Sequence, residues 1–202
     1  MKYLIGTNIK MYLTYKEALN WIREMDKVVP VTPLVDVALF PPFLCLIEGR
    51  NLIKSHSNIS LGAQNMAWAE RGALTGEISP IMLKELGIKY VELGHHERRL
   101  YFNETDEKVA RKIRLALDNG LSPLVCVGED AKFKDKGAAD FVANQIDALV
   151  ASLRLDDPAQ LIIAYEPRWA IGVSQAASPK HAQKCCEVIR DRLIKHLGPN
   201  GE

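Results

Sequence analysis

Apolar runs of strand length recur six times along the chain: KYLIGTN (residues 2–8), VDVALF (35–40), ISLGAQN (59–65), KYVELG (89–94), SPLVCVG (122–128) and QLIIAYE (160–166). None alternates cleanly between apolar and polar positions, which predicts strands covered on both faces. Segments of helical period lie between most of them. Thr14 and Glu17 have the spacing of a capping box, and Ala18, Trp21, Ile22 and Met25 follow at helix spacing. Thr105 precedes a stripe of Val109, Ala110, Ile113, Ala116 and Leu117 that Gly120 closes. A third stripe runs through Ala138, Phe141, Val142, Ile146, Leu149 and Leu153. Ser178-Pro179 opens a last helix with Ala182, Cys185, Cys186, Ile189, Leu193 and Leu197 on one side and Gly198 behind it. Strands alternating with helices predict a parallel α/β sheet with right-handed crossovers. Periodicity leaves an open doubly wound sheet and a closed barrel both standing. In either, ligands gather beyond the carboxyl ends of the strands.

Composition narrows the function classes. The 202 residues suit one large domain or two small ones, and 48% hydrophobic with 25% charged residues is an ordinary globular balance. Lys+Arg 26 against Asp+Glu 25 leaves a formal charge of +1, so no general electrostatic attraction to nucleic acid or an anionic membrane is expected. No apolar stretch has bilayer length, and MKYLIGTNIKM is too short and polar for a signal peptide; both point to the cytoplasm. Cys45, Cys126, Cys185 and Cys186 lack metal or disulfide spacing and read as reduced thiols. No G-x-G-x-x-G follows the first strand and no phosphate-loop motif occurs, so neither a dinucleotide nor ATP is expected.

The strand ends carry the candidate chemistry. The first ends in GTNIKMY, where Asn8 and Lys10, two apart, fall on one side of an extended chain. The third runs into the loop AERGALTGEIS, the fourth ends in ELGHHERR, the fifth in VCVGED and the sixth in Glu166. One lysine, one or two histidines and several carboxylates suit proton transfer on a small anionic molecule. Each also has a plainer reading. Lys10, Arg98 and Arg99 could be solvated, His95 or His96 could pack or cap, and Glu129 could cap the next helix. His95 and His96, if adjacent on a strand, would point to opposite faces and would not share a metal ion, so no metal is expected. Around Glu166 the chain is unusual: Pro167 stiffens the next position, and Trp169 to Gly172 form an apolar, glycine-ended loop where a surface turn would be polar.

GTNIKM, GAQN, GALTGEISP, YVELGHHERR, VCVGE and AYEPRWAIG resemble, in order and spacing, the signature segments of the triosephosphate isomerase family, over essentially the whole chain. The resemblance implies a (β/α)8 barrel and a cofactor-free aldose–ketose isomerase of glycolysis and gluconeogenesis, interconverting glyceraldehyde 3-phosphate and dihydroxyacetone phosphate. It implies Glu166 as catalytic base, His95 as the hydrogen-bond donor to the reacting oxygen, and Lys10 with Asn8 at the substrate. Gly172 becomes the lid glycine whose N–H binds phosphate. Glu97 supports the site by balancing Lys10 or Arg98. The loop Ala69–Ser79 is implied to insert into a second copy of the chain, with Thr75 touching the partner's site, so a homodimer is expected. The pattern also departs from the family: His96 stands where a serine is usual, Ile9 and Tyr12 replace a Trp and an Asn, and Arg168 takes an apolar hinge position. TGEIS, QNM and GTN resemble a side branch that isomerises four-carbon erythrulose phosphates.

Family barrels run to about 250 residues, and this sequence reads as a single barrel domain, 1–202, with about six βα units and no seventh or eighth. A complete enzyme represented by a shortened record is the first expectation. A non-catalytic sugar-phosphate-binding chain is the alternative.

Overall fold

The computed structural model describes residues 3–54, 58–134, 136–153 and 160–198. Lys2, expected to open the first strand, and the closing PNGE with its chain end at Glu202 lie outside the described residues. Among the described residues, six strands and seven helices follow in the order β1 (Tyr3–Asn8), α1 (Tyr15–Val28), β2 (Val35–Phe40), α2 (Leu46–Leu52), β3 (Ile59–Ala63), α3 (Pro80–Glu85), β4 (Tyr90–Leu93), α4 (His96–Phe102), α5 (Asp106–Asp118), β5 (Ser122–Val127), α6 (Ala138–Val150), β6 (Ile162–Tyr165) and α7 (Pro179–Leu197). Two compact units result, Met1–Glu92 with Asp118–Ser122, and Leu93–Leu117 with Pro123–Glu202.

In the first unit β1, β2, β3 and β4 pair in parallel, with Asn8 level with Phe40, Val37 with Ile59 and Gly62 with Tyr90. The expected capping box forms at α1. The Glu17 carboxylate accepts from the Thr14 N–H at 2.8 Å and its hydroxyl at 2.7 Å, and these bonds, the hydroxyl's first, hold Glu17 below the usual carboxylate range. Ala18, Ile22, Leu39, Phe40 and Leu46 are at most 2% exposed and form the centre of this core. The expectation that every strand is covered on both faces fails at β1. It pairs with β2 along one edge, and Tyr3 and Ile5 remain exposed.

In the second unit β5 and β6 pair in parallel from Leu124 opposite Ile162 to Val127 opposite Tyr165. Val109, Ile113, Val125, Val142, Ile146 and Leu149 are fully buried. Thr105 Oγ1 accepts from Lys108 N–H at 3.3 Å, and Ser178 Oγ accepts from His181 N–H at 3.2 Å, so both expected caps are made. On α7 the buried side chains include Cys185 and Ile189, one turn apart, whereas Cys186 is exposed, rotated off that face. Lys112 and Glu104 form an ion pair with both side chains almost wholly buried.

Candidate active site

At the end of β1, in the first unit, the chain stops being extended. Lys10 sits at φ 51°, in the left-handed region, so the inference that Asn8 and Lys10 share one side of an extended strand is corrected. A lysine there costs on the order of 1–3 kcal/mol and persists only where its surroundings hold it. Asn8 Oδ1 accepts from the Lys10 N–H at 2.6 Å, and the Gln64 side-chain amide donates to the Lys10 carbonyl at 3.0 Å and the Phe40 carbonyl at 2.9 Å. Lys10 is therefore gripped at both ends of its own residue. Asn8 is oriented in turn by a hydrogen bond from its Nδ2 to the Glu92 carboxylate. Glu92 is 7% exposed and was not among the candidates; an acid inside the otherwise apolar YVEL strand is the signal that marks it.

Also in this unit, Thr75 is exposed in the loop after β3. Two positive-φ glycines shape that loop, Gly72 and Gly76. Its base is closed by the Ala67 N–H on the Ile78 carbonyl at 2.8 Å and by the Ser79 hydroxyl on the Glu70 carbonyl at 2.7 Å.

The second unit holds His95, His96, Glu97, Glu166 and Gly172. β4 stops at Leu93, Gly94 turns the chain at φ 69°, and His95 is the N-cap of α4 rather than a strand residue. The expectation that His95 and His96 diverge is therefore corrected. Their rings lie 4.5 Å apart, and Glu166 Oε2 is 3.5 Å from His95 Nε2 and 3.6 Å from His96 Nδ1. These three residues bring metal-ligating atoms within 4.8 Å of one another. Glu166 Oε1 accepts from the His96 backbone N–H at 2.7 Å. His95 Nδ1 accepts from the Glu97 N–H at 3.3 Å, which fixes the tautomer of a neutral ring: the lone pair is on Nδ1 and the proton on Nε2, facing Glu166.

Neither arginine of HHERR is simply solvated. Arg98 Nε lies 3.5 Å from Glu104, so of the two partners expected for Glu97, Arg98 faces another acid; Glu97 Oε2 lies 3.5 Å from His95 Nδ1. Arg99 donates to the carbonyls of Gly94 at 2.7 Å and Cys126 at 3.4 Å and to Asp106 at 2.5 Å, tying the turn before His95 to β5.

Glu129 is the residue most misread from sequence. It is wholly buried and accepts from Trp169 Nε1 at 2.7 Å and the Tyr165 hydroxyl at 2.8 Å, with His181 Nε2 at 2.9 Å. Burial pushes its carboxyl up, but the bonds from Trp169, His181 and Tyr165 prevail and hold it below the usual range. Burial, with Cys185 and Glu129 beside it, pushes the Tyr165 hydroxyl well above its ordinary value. Glu129 thus anchors the segment after Glu166 instead of capping a helix. Arg168 donates its N–H to the Glu129 carbonyl at 3.1 Å and pairs with Asp130, and Lys134 Nζ lies 4.4 Å over the Trp169 ring. Beyond this pinned turn Gly172 is exposed at φ 69°.

The family model described as triosephosphate isomerase matches residues 3–201. The chain is 43% identical over 196 residues to a triosephosphate isomerase of Thermoanaerobacter pseudethanolicus, covering 96% of this chain and 78% of that protein. It is 44% identical over 198 residues to one from Carboxydothermus hydrogenoformans, covering 98% and 78%. A third, from Alkaliphilus metalliredigens, is 44% identical over 201 residues, covering 99% and 80%. Parallel strands alternating with helices supply about six βα units of a TIM barrel. With that repeat and these matches, the chain belongs to the triosephosphate isomerase family.

Proposed function

We propose that this chain is a cofactor-free aldose–ketose isomerase that interconverts glyceraldehyde 3-phosphate and dihydroxyacetone phosphate by enediolate proton transfer. The observation that carries the proposal is the Glu166 carboxylate, held 3.5 Å from His95 Nε2 at the end of β6. A carbon acid beside a carbonyl is weak, so its proton is removed only by a base held against it in a water-poor place. Glu166 takes that proton from one carbon, and the electron pair moves into the carbon–carbon bond as the carbonyl oxygen gains charge. His95, with its proton on Nε2, donates a hydrogen bond to that oxygen as it becomes enediolate. Glu166 returns the proton to the neighbouring carbon, and the hydroxyl proton of the first carbon passes to the former carbonyl oxygen beside His95. The electron pair closes a new carbonyl on the first carbon, so aldose has become ketose with no net gain or loss of protons or electrons.

Lys10 supplies the cation that offsets the substrate's phosphate charge, and Asn8 holds it. Glu97 fixes the His95 tautomer through its N–H. The exposed Gly172 presents its N–H to phosphate when the Trp169–Gly172 segment closes, and Glu129 sets the hinge of that closure. A coupled assay on dihydroxyacetone phosphate and both erythrulose phosphates tests the reaction. Turnover highest on the three-carbon substrate is expected; a higher rate on a four-carbon substrate moves the assignment to that branch, and no turnover on any of them overturns it.

The proposed assembly is a homodimer through the loop Ala69–Ser79, whose Ala73 and Thr75 are exposed. The loop is long for a βα connection, and exposed apolar residues at such a tip are natural contacts for a second chain. Light scattering of the active enzyme at micromolar concentration is expected to give twice the chain mass. A monomeric mass would refute this.

A further inference from the structure

We propose that His95, His96 and Glu166 form a divalent transition-metal site, best suited to Zn2+, whose occupancy switches the isomerase off. The inhibitory part rests on the function proposed above; the binding part stands on geometry alone. In a tetrahedral site with bonds of about 2.0–2.1 Å, neighbouring donor atoms lie about 3.3 Å apart. Glu166 Oε2 is 3.5 Å from His95 Nε2 and 3.6 Å from His96 Nδ1. Both separations from the carboxylate are thus within a few tenths of an ångström of the tetrahedral value, and all three ligand atoms lie within 4.8 Å of one another. Two imidazoles and a carboxylate, with a fourth position for water, are a donor set that suits zinc. The side chains are only 11%, 13% and 17% exposed, so the site is already enclosed. The Glu166 carboxylate is also pre-oriented, because the His96 N–H holds Oε1 at 2.7 Å while Oε2 faces both rings.

Binding requires a lone pair on His95 Nε2, so the ring proton moves from Nε2 to Nδ1. There Glu97 Oε2, at 3.5 Å, accepts it in place of the Glu97 N–H contact. A carboxylate behind a metal-bound imidazole is the usual supporting partner of such a ligand. The neutral ring neither gains nor loses a proton overall. The same ion removes both proposed catalytic functions, because the carboxylate is coordinated and the Nε2 proton is gone.

A second cluster, Glu129, His181 and Cys185, also brings ligand atoms within 4.8 Å, and it is the poorer site. Glu129 already has three partners while wholly buried, and burial pushes the Cys185 thiol up, opposing the thiolate a metal needs.

The test is calorimetric titration of Zn2+ into chelator-treated protein, with Co2+ as a spectroscopic substitute. One ion per chain is expected, and the Co2+ form should lack thiolate charge-transfer absorption. His96→Ala keeps the backbone N–H that holds Glu166 but removes Nδ1, and is expected to weaken Zn2+ binding at least about tenfold. Glu166→Gln should weaken it similarly, and Cys185→Ser should not. No binding at micromolar Zn2+, binding unaffected by His96→Ala and Glu166→Gln, or binding lost in Cys185→Ser would each overturn the site. In the assay, Zn2+ is expected to compete with substrate in the parent and to inhibit His96→Ala at least about tenfold less, each measured against its own metal-free rate. If the protein proves inactive on every sugar phosphate, calorimetry still decides the metal site, so the two proposals fail separately.

Discussion

Replacing Glu166 by Gln is expected to lower isomerisation turnover about 10²- to 10⁴-fold, the range lost when a general base is removed, with melting little changed. The amide has the shape of the carboxylate, and its oxygen can still accept from the His96 N–H that now holds Oε1 at 2.7 Å. The bond that orients the side chain is therefore retained, while the capacity to take a proton from carbon is lost and an amide NH2 replaces the oxygen that faces the two rings. Glu166→Asp separates the two contributions from the other direction. It keeps the charge but withdraws the carboxylate by one methylene, and a misplacement of about 1 Å costs roughly 10²-fold in a near-attack geometry. Steady-state turnover with the ketose phosphate, alongside thermal melting, checks both. If Glu166→Gln keeps more than about a tenth of parent turnover, far above the loss expected of a general base, Glu166 is not the base.

The same residue shows how far sequence reaches here. Glu166, His95 and Lys10 stood out as candidates because each follows a recognisable strand at the end where ligands gather, and the family resemblance supplied the role expected of each. The helices with long stripes and caps, α1, α5, α6 and α7, were equally plain. The helices α2, α3 and α4 have 7, 6 and 7 residues, too few turns for a period to show. Missing α4 had a chemical consequence, because treating HHE as strand sent the two histidines apart, whereas a cap and a first helical turn bring both to Glu166. Glu92 and Glu129 were illegible for another reason. What each acid does depends on donors far away in the chain, Asn8 for Glu92 and Trp169 and His181 for Glu129. Local pattern reports that an acid is present, not which buried donors meet it.

Gly128 is a case where close packing makes a sharp prediction about Glu166. A Cβ on Gly128 would lie 2.0 Å from the Glu166 carbonyl oxygen, 2.5 Å from its carbonyl carbon and 3.0 Å from the Pro167 nitrogen. All three are backbone atoms, so no side chain can swing aside. Nor can β5 readily retreat, because the Gly128 N–H donates to buried Gln145 at 2.9 Å and the Val127 carbonyl accepts from the Glu166 N–H at 2.8 Å. Gly128→Ala must therefore push the start of the Glu166–Pro167 segment outward, by more than about 1 Å if the 2.0 Å contact is to become ordinary, carrying the carboxylate with it. Displacement of that size costs roughly 10²-fold in turnover, and overpacking of this kind costs about 1–3 kcal/mol of stability. For a chain of this size that stability loss lowers melting by several degrees, at about 2–4 °C per kcal/mol. The expected result is a folded enzyme with turnover down about 10²-fold and only a modest change in the Michaelis constant, since Lys10 and Asn8, the proposed substrate contacts, sit at the end of β1. Gly6→Ala is the matched control, because a Cβ there meets only the Phe40 ring at an ordinary 3.7 Å. It should keep near-parent turnover. If Gly128→Ala does so too, the tight approach of Gly128 to the Glu166 backbone is not what holds that carboxylate in place.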